Sequence, residues 1–431
     1  IELWDKDNEE EYYDLKIALN NNFENNIHEL FAFFPTKIDI KFPFIIHGTF
    51  DLNSSRNQIN DSQKNRFILK KLVELIVETA KNITKQEVSY KALEMLTYNY
   101  QEHILKELGF YSYIDYVLEE LEIFPCLDNT YRKKNNVIYI DELSIFVNNT
   151  NKVDIFPNLL IPNNVKINLS RYLLSTSVTN DKLNILSRSI TDINQRVDLI
   201  YMFYHTFKHQ KLEFLIDKNM NLISLEDDVF TPSKYEFSIP SYVNIKFMNK
   251  ELFDKLVLKF KIESSEKSRE LQRILKEITN IHSYEPAPVL QKIITSTNQE
   301  LKKDNINKEY FIVEMIQSLY ENFMLVEKTT IPVDTKIQLL NKNKTLTDAK
   351  NLYLSDSYHS GEMTEYLFKN IFTNNDFLAN IQIYKLQNEV IEDVEEFFLW
   401  LGVNKYTKFN KINSDPNYEK FIFAKIDKPL A

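Results

Sequence analysis

Glycine is scarce in this chain, which has four glycines among 431 residues. Loops that cradle phosphates and turns that bind dinucleotides need several glycines close together, because the backbone must come close to a phosphate. The four glycines are scattered, at Gly48, Gly109, Gly361 and Gly402. This spacing excludes a Walker A loop, a Rossmann fingerprint and a kinase glycine loop, so any nucleotide must be bound by another kind of motif.

Cysteine is scarcer still, and the single Cys126 excludes a disulfide framework within the chain. The lack of such a framework favours a reducing compartment, so we expect a cytoplasmic protein. Cys126 lies in the apolar run at residues 123–127 and is expected to be a buried structural thiol. The observed start has no signal-peptide pattern and no apolar run reaches about 18 residues, so neither export nor membrane spanning is predicted.

The charge balance is acidic, with 62 Asp and Glu against 52 Lys and Arg and a net charge of −10. Binding to nucleic acid through its phosphates depends on Lys and Arg clustered along one face, so non-specific nucleic-acid binding is not expected. The local basic run at residues 132–134 is interpreted as a solvated hairpin tip.

The length predicts two or three domains, since soluble domains usually have ~100–200 residues, and 30 Phe and 24 Tyr are enough to fill their cores. Because it begins with Ile1 rather than Met, we expect the chain to be part of a longer protein. The predicted fold class is α+β and multi-module, with helices, small mixed or antiparallel sheets and recurring hairpins. We predict a connector at residues 1–35 and modules at residues 36–165, 166–270 and 271–431.

Apolar periodicity places the first elements of secondary structure. Residues 1–34 are acidic and then helical in pattern, whereas residues 36–48 alternate or run apolar as strands do. Asp61 or Ser62 is positioned to cap a long helix after them. The predicted helices span residues 65–82, 89–108 and 113–121, and the second of them stops at Gly109.

Three segments of the sequence resemble one another. Each has the pattern of a strand, an Asx-rich turn and a return strand followed by a helix. Residues 215–222 align with residues 339–346, and a weaker copy occurs at residues 124–138. Two explanations remain open: chance likeness between hairpins in a chain rich in Asn and Lys, or a unit that recurs along an extended α+β molecule.

The most specific local pattern is a strand at residues 44–46, a polar turn that contains Arg56, and the long helix after it. An arginine held near the amino end of a helix is suited to an anion, and a guanidinium that reaches a γ-phosphate stabilises the charge being transferred. The alternative is a surface arginine that caps a turn or pairs with Asp51 or Asp61.

This turn and the helix after it resemble the catalytic loop and following helix in the middle domain of the 90-kilodalton heat-shock chaperones. Residues 43–58 are even more similar to sacsin repeats and their bacterial and plant relatives. Residues 352–358 and 397–403 are similar to late segments of the bacterial members. The residues that carry the likeness in the turn and helix are Asn53, Ser54, Ser55, Arg56, Gln58 and helix residues 72–75 and 78–80.

The resemblance implies an ATP-binding domain of the gyrase, chaperone, histidine-kinase and MutL type immediately upstream, joined to this chain by the connector. Arg56 would reach the γ-phosphate of ATP bound there, Gln58 or Asn60 would help to place it, and residues 53–55 would complete the nucleotide-contacting loop. The family's Glu-and-Asn helix, glycine motifs and lid do not occur in this sequence. ATP and Mg²⁺ are therefore expected only in the longer protein, and this chain alone is expected neither to bind nor to hydrolyse ATP.

By this resemblance the chain is the middle and C-terminal transducer region of a sacsin-like ATPase, coupling ATP to conformational change in chaperone-like remodelling or in bacterial anti-phage defence. The expected partners are the ATP-binding domain in cis, a protein client and further copies of the chain in a homo-oligomer. Two rivals stay open. One is a non-catalytic protein-binding scaffold, and the other is a subunit of a hydrolase or nuclease, which needs carboxylates or histidines clustered in one pocket.

Two further groups have spacings that catalytic or metal sites also show. His205, His209 and Glu213 stand at successive steps of four and would share one helical face, as zinc ligands do. An ordinary helix end is the preferred interpretation, and no metal site is predicted. Asp356 precedes the His-Ser-Gly run at residues 359–361, but the strand-and-glycine pattern of a serine nucleophile is lacking, so a polar loop is predicted.

Overall fold

The computed structural model divides the chain into two compact units. The first unit comprises Ile1–Phe214 with Asp254–Lys261 and Glu277–Thr279, and the second comprises Leu215–Phe253, Ile262–Lys276 and Asn280–Ala431. The module boundaries derived from the sequence differ from these and stay a prediction. The structure describes residues 3–6, 9–19, 27–163, 167–173, 178–207, 210–233, 238–304, 306–325, 335–368 and 371–407.

Helices and short strands both occur along the chain, which confirms the predicted α+β, multi-module class. The helices are α1 Gln63–Ile83, α2 Lys91–Glu94, α3 His103–Glu107, α4 Phe110–Leu118, α5 Asp141–Asn149, α6 Asn180–Ser189, α7 Ile193–Thr206, α8 Lys250–Lys259, α9 Lys267–Leu275, α10 Pro286–Glu300, α11 Lys308–Leu325, α12 Glu362–Phe368 and α13 Ile391–Trp400. The strands are β1 Leu3–Lys6, β2 Glu9–Tyr12, β3 Leu15–Leu19, β4 Glu29–Ala32, β5 Phe34–Asp39, β6 Phe44–Gly48, β7 Phe124–Pro125, β8 Tyr131–Arg132, β9 Asp228–Phe230, β10 Ile245–Phe247, β11 Ile281–His282, β12 Gln338–Leu340 and β13 Leu346–Asp348.

A four-stranded sheet in the order β3-β6-β4-β5 lies near the start of the first unit. The inner strand β6 pairs antiparallel with β3 and parallel with β4. Alternate β6 residues, Phe44 and Ile46, are buried in the same apolar cluster as Leu72 and Ile76 of α1. The helical pattern expected within residues 1–34 is wrong at β3 and β4, because these segments satisfy their backbone hydrogen bonds in the sheet.

The long helix predicted at residues 65–82 is confirmed by α1. Its buried side chains recur at helical spacing, so one face of the helix covers the sheet. Of the two capping candidates, Ser62 is the N-cap: its Oγ accepts a hydrogen bond from the backbone N–H of Asn65 at 3.2 Å. The helix therefore begins directly after the polar turn that contains Arg56.

The single helix predicted at residues 89–108 is wrong, because the structure has α2 and α3 with an irregular segment between them. Within that segment, side chains bond the backbone of Tyr98. Its N–H donates to the hydroxyl of Tyr172, and its carbonyl accepts from Arg171 Nη1, each at 2.8 Å. Gly109 stops α3 as predicted, with a left-handed φ of 79°, and α4 begins at the next residue.

The three segments that resemble one another in sequence form the same hairpin turn. The first turn residue is Cys126, Asp217 or Asn341. Its carbonyl accepts a hydrogen bond from the N–H of the residue three positions later, and its own N–H donates to the carbonyl of the residue four positions later. The residue three positions on is left-handed in all of them, with φ of 60° at Asn129, 67° at Met220 and 58° at Lys344. Such a loop is a type I turn followed by a left-handed residue. The predicted recurrence of hairpins is thus confirmed.

Two of these hairpins belong to a longer duplicated motif, one copy in each unit. In both copies a later segment of the chain forms two β-bridges with the motif. The first bridge is antiparallel and involves the first turn residue (126 or 341). The second bridge is parallel and involves the residue twelve positions further on (138 or 353). Chance likeness between isolated hairpins does not explain this shared ladder. The matching bridges are Cys126 with Leu160 and Ile138 with Leu159 in the first copy, and Asn341 with Leu378 and Tyr353 with Phe377 in the second.

Cys126 is fully buried at the start of the first hairpin turn. Burial raises the pKa of its thiol to about 12, so the reactive thiolate is rare near neutral pH. We expect iodoacetamide to leave Cys126 unmodified in the native protein at mildly alkaline pH and to modify it completely in urea, as measured by mass spectrometry. Equal rates of modification in the two conditions would contradict a buried structural thiol.

A buried arginine joins α6 to α7 in the first unit. Arg196 is 3% exposed, and its guanidinium donates to the carbonyls of Ser187 at 3.2 Å, Phe214 at 3.0 Å and Ile190. Ser187 and Ile190 lie at the C-terminal end of α6, where carbonyl groups carry partial negative charge. Burial lowers the pKa of Arg196 to about 10, so the guanidinium remains charged at neutral pH.

The second unit contains a parallel three-stranded sheet in the order β10-β9-β11 and the β12–β13 hairpin. Tyr358, Phe397 and Phe398 are fully buried in its core. Gly361 lies in a short 3₁₀ turn beside α12, and a Cβ added to it would be 2.1 Å from the carbonyl oxygen of Ser355. No side chain tolerates a contact that short, so the close approach of two backbone segments requires glycine here.

Candidate anion-binding loop

The arginine loop, residues 52–59, lies between β6 and α1 and is closed by an antiparallel bridge between its two end residues. The N–H of Asn53 donates to the carbonyl of Gln58, and the N–H of Arg56 donates to the carbonyl of Asn53, each at 2.9 Å. Arg56 is left-handed, with φ of 57°. It occupies the same place in its turn as the left-handed residues of the three hairpins, so the turn geometry accounts for its backbone conformation.

Short polar side chains fill the inside of the arginine loop. Asn53 Oδ1 accepts from the N–H of Asn57 at 3.2 Å, and Ser55 Oγ lies 2.8 Å from Asn57 Oδ1. Ser54 is exposed. Three of the residues expected to contact a nucleotide, Asn53, Ser54 and Ser55, thus lie together in the loop, and two of them shape it.

A buried asparagine fixes the loop to α1. Asn65 is fully buried, and its Nδ2 donates to the carbonyls of Asp51 at 2.9 Å and Asn60 at 2.8 Å. Its Oδ1 accepts from the N–H of Asp51 at 2.9 Å. Sequence reasoning treated Asn65 only as the start of the helix. An asparagine on the buried face of a helix is the signal that identifies such an anchor, because buried amides need partners.

The side chain of Arg56 is exposed and has no hydrogen bond or ion pair with any residue that the structure describes. The two carboxylates that the sequence offered as its partners pair elsewhere. Asp51 pairs with Lys64 at 3.4 Å, and Asp61 pairs with Arg66 at 2.8 Å. The interpretation of Arg56 as the partner of Asp51 or Asp61 is therefore wrong, whereas a role in capping the turn stays an alternative.

A second cation, which sequence reasoning missed, lies beside the loop. The backbone N–H of Lys37 in the outer strand β5 donates to the carbonyl of Asn57 at 2.9 Å, and the Lys37 side chain is exposed. This hydrogen bond ties the backbone of β5 to the arginine loop at the residue after Arg56. No pattern within the loop sequence predicts the contact, since it arises from the order of strands in the sheet.

The two amides considered for positioning a phosphate differ in their surroundings. Asn60 Nδ2 donates to the carbonyl of Leu52 at 2.9 Å and so helps to close the loop. Gln58 is half-buried, and the bonds described for it involve its backbone, which accepts from Asn53. Asn60 is therefore a structural residue, whereas the side-chain amide of Gln58 is not used in closing the loop.

The His205, His209 and Glu213 spacing does not give one helical face. α7 ends at Thr206, so Glu213 is not on that helix, and its carboxylate pairs with Arg188 at 2.9 Å. The ring of His205 packs 4.5 Å from that of Tyr201 between centroids, and His209 lies outside the described residues. Within the described parts of the chain, no group of three or more His, Cys, Asp or Glu could hold a metal ion.

The run at residues 359–361 forms a short 3₁₀ turn rather than a loop without regular structure. The backbone N–H and the hydroxyl of Ser360 both donate to the carboxylate of Glu395, at 2.7 and 2.6 Å. Asp356 pairs with Lys342 at 2.7 Å. Glu395 thus accepts both hydrogen bonds that Ser360 donates.

Comparison of the chain with protein-family models, with curated proteins and with solved structures gives no match. Among the helices that the structure describes, none is both long and apolar enough to cross a bilayer. Assignment of a function therefore rests on the arginine loop itself.

Proposed function

We propose that this chain is the transducer region of a larger cytoplasmic ATPase of the sacsin-like or heat-shock-chaperone-like type, and that Arg56 is the arginine it supplies to ATP bound by an upstream domain. The observation that carries the proposal is an exposed guanidinium without a described partner, held on a loop whose ends are bonded to a helix. By contrast the neighbouring Arg66, at the start of that helix, is paired with Asp61.

The residues of the loop fit a phosphate group. A guanidinium presents a planar fork of donors that matches phosphate oxygens, and the exposed residue Lys37 lies on the strand whose backbone bonds the loop. The nearby carboxylates of Asp51 and Asp61 are neutralised by their own partners, so they do not oppose an anion. The side chains of residues 53–55 are small and uncharged, which leaves room for a phosphate to approach.

In this proposal ATP, held with Mg²⁺ by the upstream domain, supplies the γ-phosphoryl group that is transferred to water. Arg56 stabilises the negative charge that develops on that group, and Gln58 helps to orient the guanidinium. Asn65 ties the loop to α1, so engagement of Arg56 is passed to a 21-residue helix in the core of the first unit. The chain then couples nucleotide state to the arrangement of a protein client or of further copies of itself.

The test is steady-state ATP hydrolysis by the full-length protein with Arg56→Ala. We expect kcat to fall at least ~10-fold while nucleotide affinity changes little, because the lost interaction acts on the transition state. Arg56→Lys should recover part of the activity, since it restores the charge without the planar fork. Chain 1–431 by itself should show no turnover.

Arg66→Ala is the matched control, because Arg66 is also exposed and lies at the same end of α1 but has described partners in Asp61 and the carbonyl of Glu107. Its kcat should stay within about twofold of the wild-type value, as expected for loss of a surface ion pair. If Arg56→Ala also leaves kcat unchanged, Arg56 has no catalytic role, and the chain is better described as a protein-binding scaffold.

A further inference from the structure

A groove runs between α1 and α4 in the first unit, away from the arginine loop. It encloses about 460 Å³. Val77, Val117 and Leu121 form its apolar part. The other lining residues are polar or aromatic: Glu74, Glu78, Lys81, Tyr113, Tyr116 and Glu120.

Two tyrosines form an aromatic wall along this groove. Tyr113 and Tyr116 are stacked, with 6.3 Å between ring centroids and 14° between ring planes. One face of the pair is already used by a cation, because Lys70 Nζ lies 5.5 Å from the centroid of Tyr113. Tyr116 is 73% exposed, which is unusual for a large aromatic side chain in a stacked pair. Its ring is open to a further cation.

The groove lining offers one carboxylate without a described partner to a cation. Its lining has three carboxylates, of Glu74, Glu78 and Glu120, against one ammonium group, of Lys81. Glu78 has no ion pair or hydrogen bond with any residue described, whereas Glu74 pairs with Lys71 at 2.9 Å and Glu120 with Lys133 at 2.7 Å. Glu78 is therefore the carboxylate of the lining that an incoming cation can bind without displacing a described partner.

Helix geometry explains why these groups meet. Glu74 and Glu78 are four residues apart on α1 and so share one face, with Val77 beside them. On α4, Tyr113, Tyr116 and Val117 recur at the same helical spacing. The two faces together place carboxylates opposite tyrosine rings, with an apolar floor between them.

We propose that the α1–α4 groove binds an arginine side chain presented by a partner protein. A guanidinium is weakly hydrated, stacks on aromatic rings and bonds a carboxylate with two parallel N–H groups. It would stack on Tyr116 and donate to Glu78, while its aliphatic stem covers the apolar floor. A lysine ammonium lacks the planar stacking surface and binds water more strongly, so it is the poorer ligand.

The test measures binding of fluorescein-labelled tetra-arginine amide to chain 1–431 by anisotropy, with tetra-lysine amide as the matched peptide. We expect the arginine peptide to bind at least ~5-fold more tightly, a difference of the size that cation–π contacts provide. Tyr116→Ala and Glu78→Gln should each remove most of that preference. Lys81→Gln should strengthen binding of both peptides, because it removes the one positive charge in the lining.

Tyr310→Ala is the control for loss of an exposed tyrosine, since Tyr310 is 45% exposed on α11 and does not line the groove. It should leave binding of both peptides unchanged. All four substituted positions are on the surface, so circular dichroism should show the wild-type fold. Equal affinity for the two peptides, equal affinity of the wild type and Tyr116→Ala, or no binding of the arginine peptide would each overturn the proposal. The first two results would indicate diffuse attraction to a chain of net charge −10.

Discussion

Gly361→Ala is expected to lower the free energy of unfolding of the second unit by about 3 kcal/mol. The new Cβ would lie 2.1 Å from the carbonyl oxygen of Ser355 and 2.6 Å from the carbonyl carbon and oxygen of Leu354. All three are backbone atoms, so no side-chain rotation relieves the contact. The 3₁₀ turn that holds Gly361 must instead move, and the bond between Ser360 and Glu395 moves with it.

Urea unfolding in a Trp4→Phe background, followed by the fluorescence of Trp400, measures this effect, because Trp400 lies in α13 of the same unit and Trp4 does not. Gly402→Ala is the matched control. Gly402 has a φ of +100°, and its added Cβ meets only Lys350 Cγ, at 3.6 Å. Gly402→Ala should lower the free energy of unfolding by about 1–2 kcal/mol, which is the strain of a left-handed residue that has a side chain. Equal losses for the two variants would mean that Gly361 is not tightly packed.

Arg196→Met is expected to destabilise the first unit by roughly 2–6 kcal/mol. The substitution keeps the apolar stem but leaves the buried carbonyls of Ile190 and Phe214 without their described donor, and each such group costs about 1–3 kcal/mol. The stability of Arg196→Lys should lie between those of the wild type and Arg196→Met. One ammonium group cannot bond all the carbonyls that the guanidinium reaches together.

Urea unfolding monitored by far-ultraviolet circular dichroism checks the expected loss, with Arg188→Met as the control. Arg188 lies on α6 and is exposed, and it pairs with Glu213 at 2.9 Å, so its loss should cost no more than about 1 kcal/mol. Burial lowers the folded-state pKa of Arg196 to about 10, below its unfolded value. Arg196 is then charged in both states from pH 7 to 9, and the effect of Arg196→Met should be constant over that range. A loss equal to that of Arg188→Met would contradict the buried network.

Sequence patterns predicted the elements whose information is local. The apolar spacing of α1, its cap at one of two adjacent residues and the stop at Gly109 all depend on residues within a few positions of one another. The hairpins were also predictable, because an Asx-rich turn between apolar runs has few conformations. The alignment of Asp217 with Asn341 places the left-handed residues of both turns in register.

The errors arose where distant residues decide the structure. Residues 89–108 have a helical pattern, but the side chains of Arg171 and Tyr172 bond the backbone of Tyr98 and interrupt it. The strand β3 looked helical because its pairing with β6 depends on residues almost thirty positions away. Local propensity is a weak guide in such cases, since tertiary contacts override it.

In the candidate site, too, features set by neighbouring residues were predictable and features set by distant residues were not. The position of Arg56 in a turn between a strand and a helix was predictable, and so were its neighbours Asn53 and Ser55. The absence of a described partner for Arg56 was not predictable, because it depends on the pairing of Asp51 with Lys64 and of Asp61 with Arg66. The approach of Lys37 depends on strand order, which the sequence does not specify locally.

The discontinuity of the first unit has a consequence for synthesis on the ribosome. Most of that unit ends at Phe214, yet Phe260 packs 5.4 Å from Tyr204 between ring centroids, and the carbonyl of Ile278 accepts from the N–H of Leu212 at 3.1 Å. The nascent chain must therefore grow as far as residue 279 before its amino-terminal part can be completed. The order of synthesis thus differs from the order in which the unit can be completed. Tyr204 lacks its contact with Phe260 until the later segment has been synthesised.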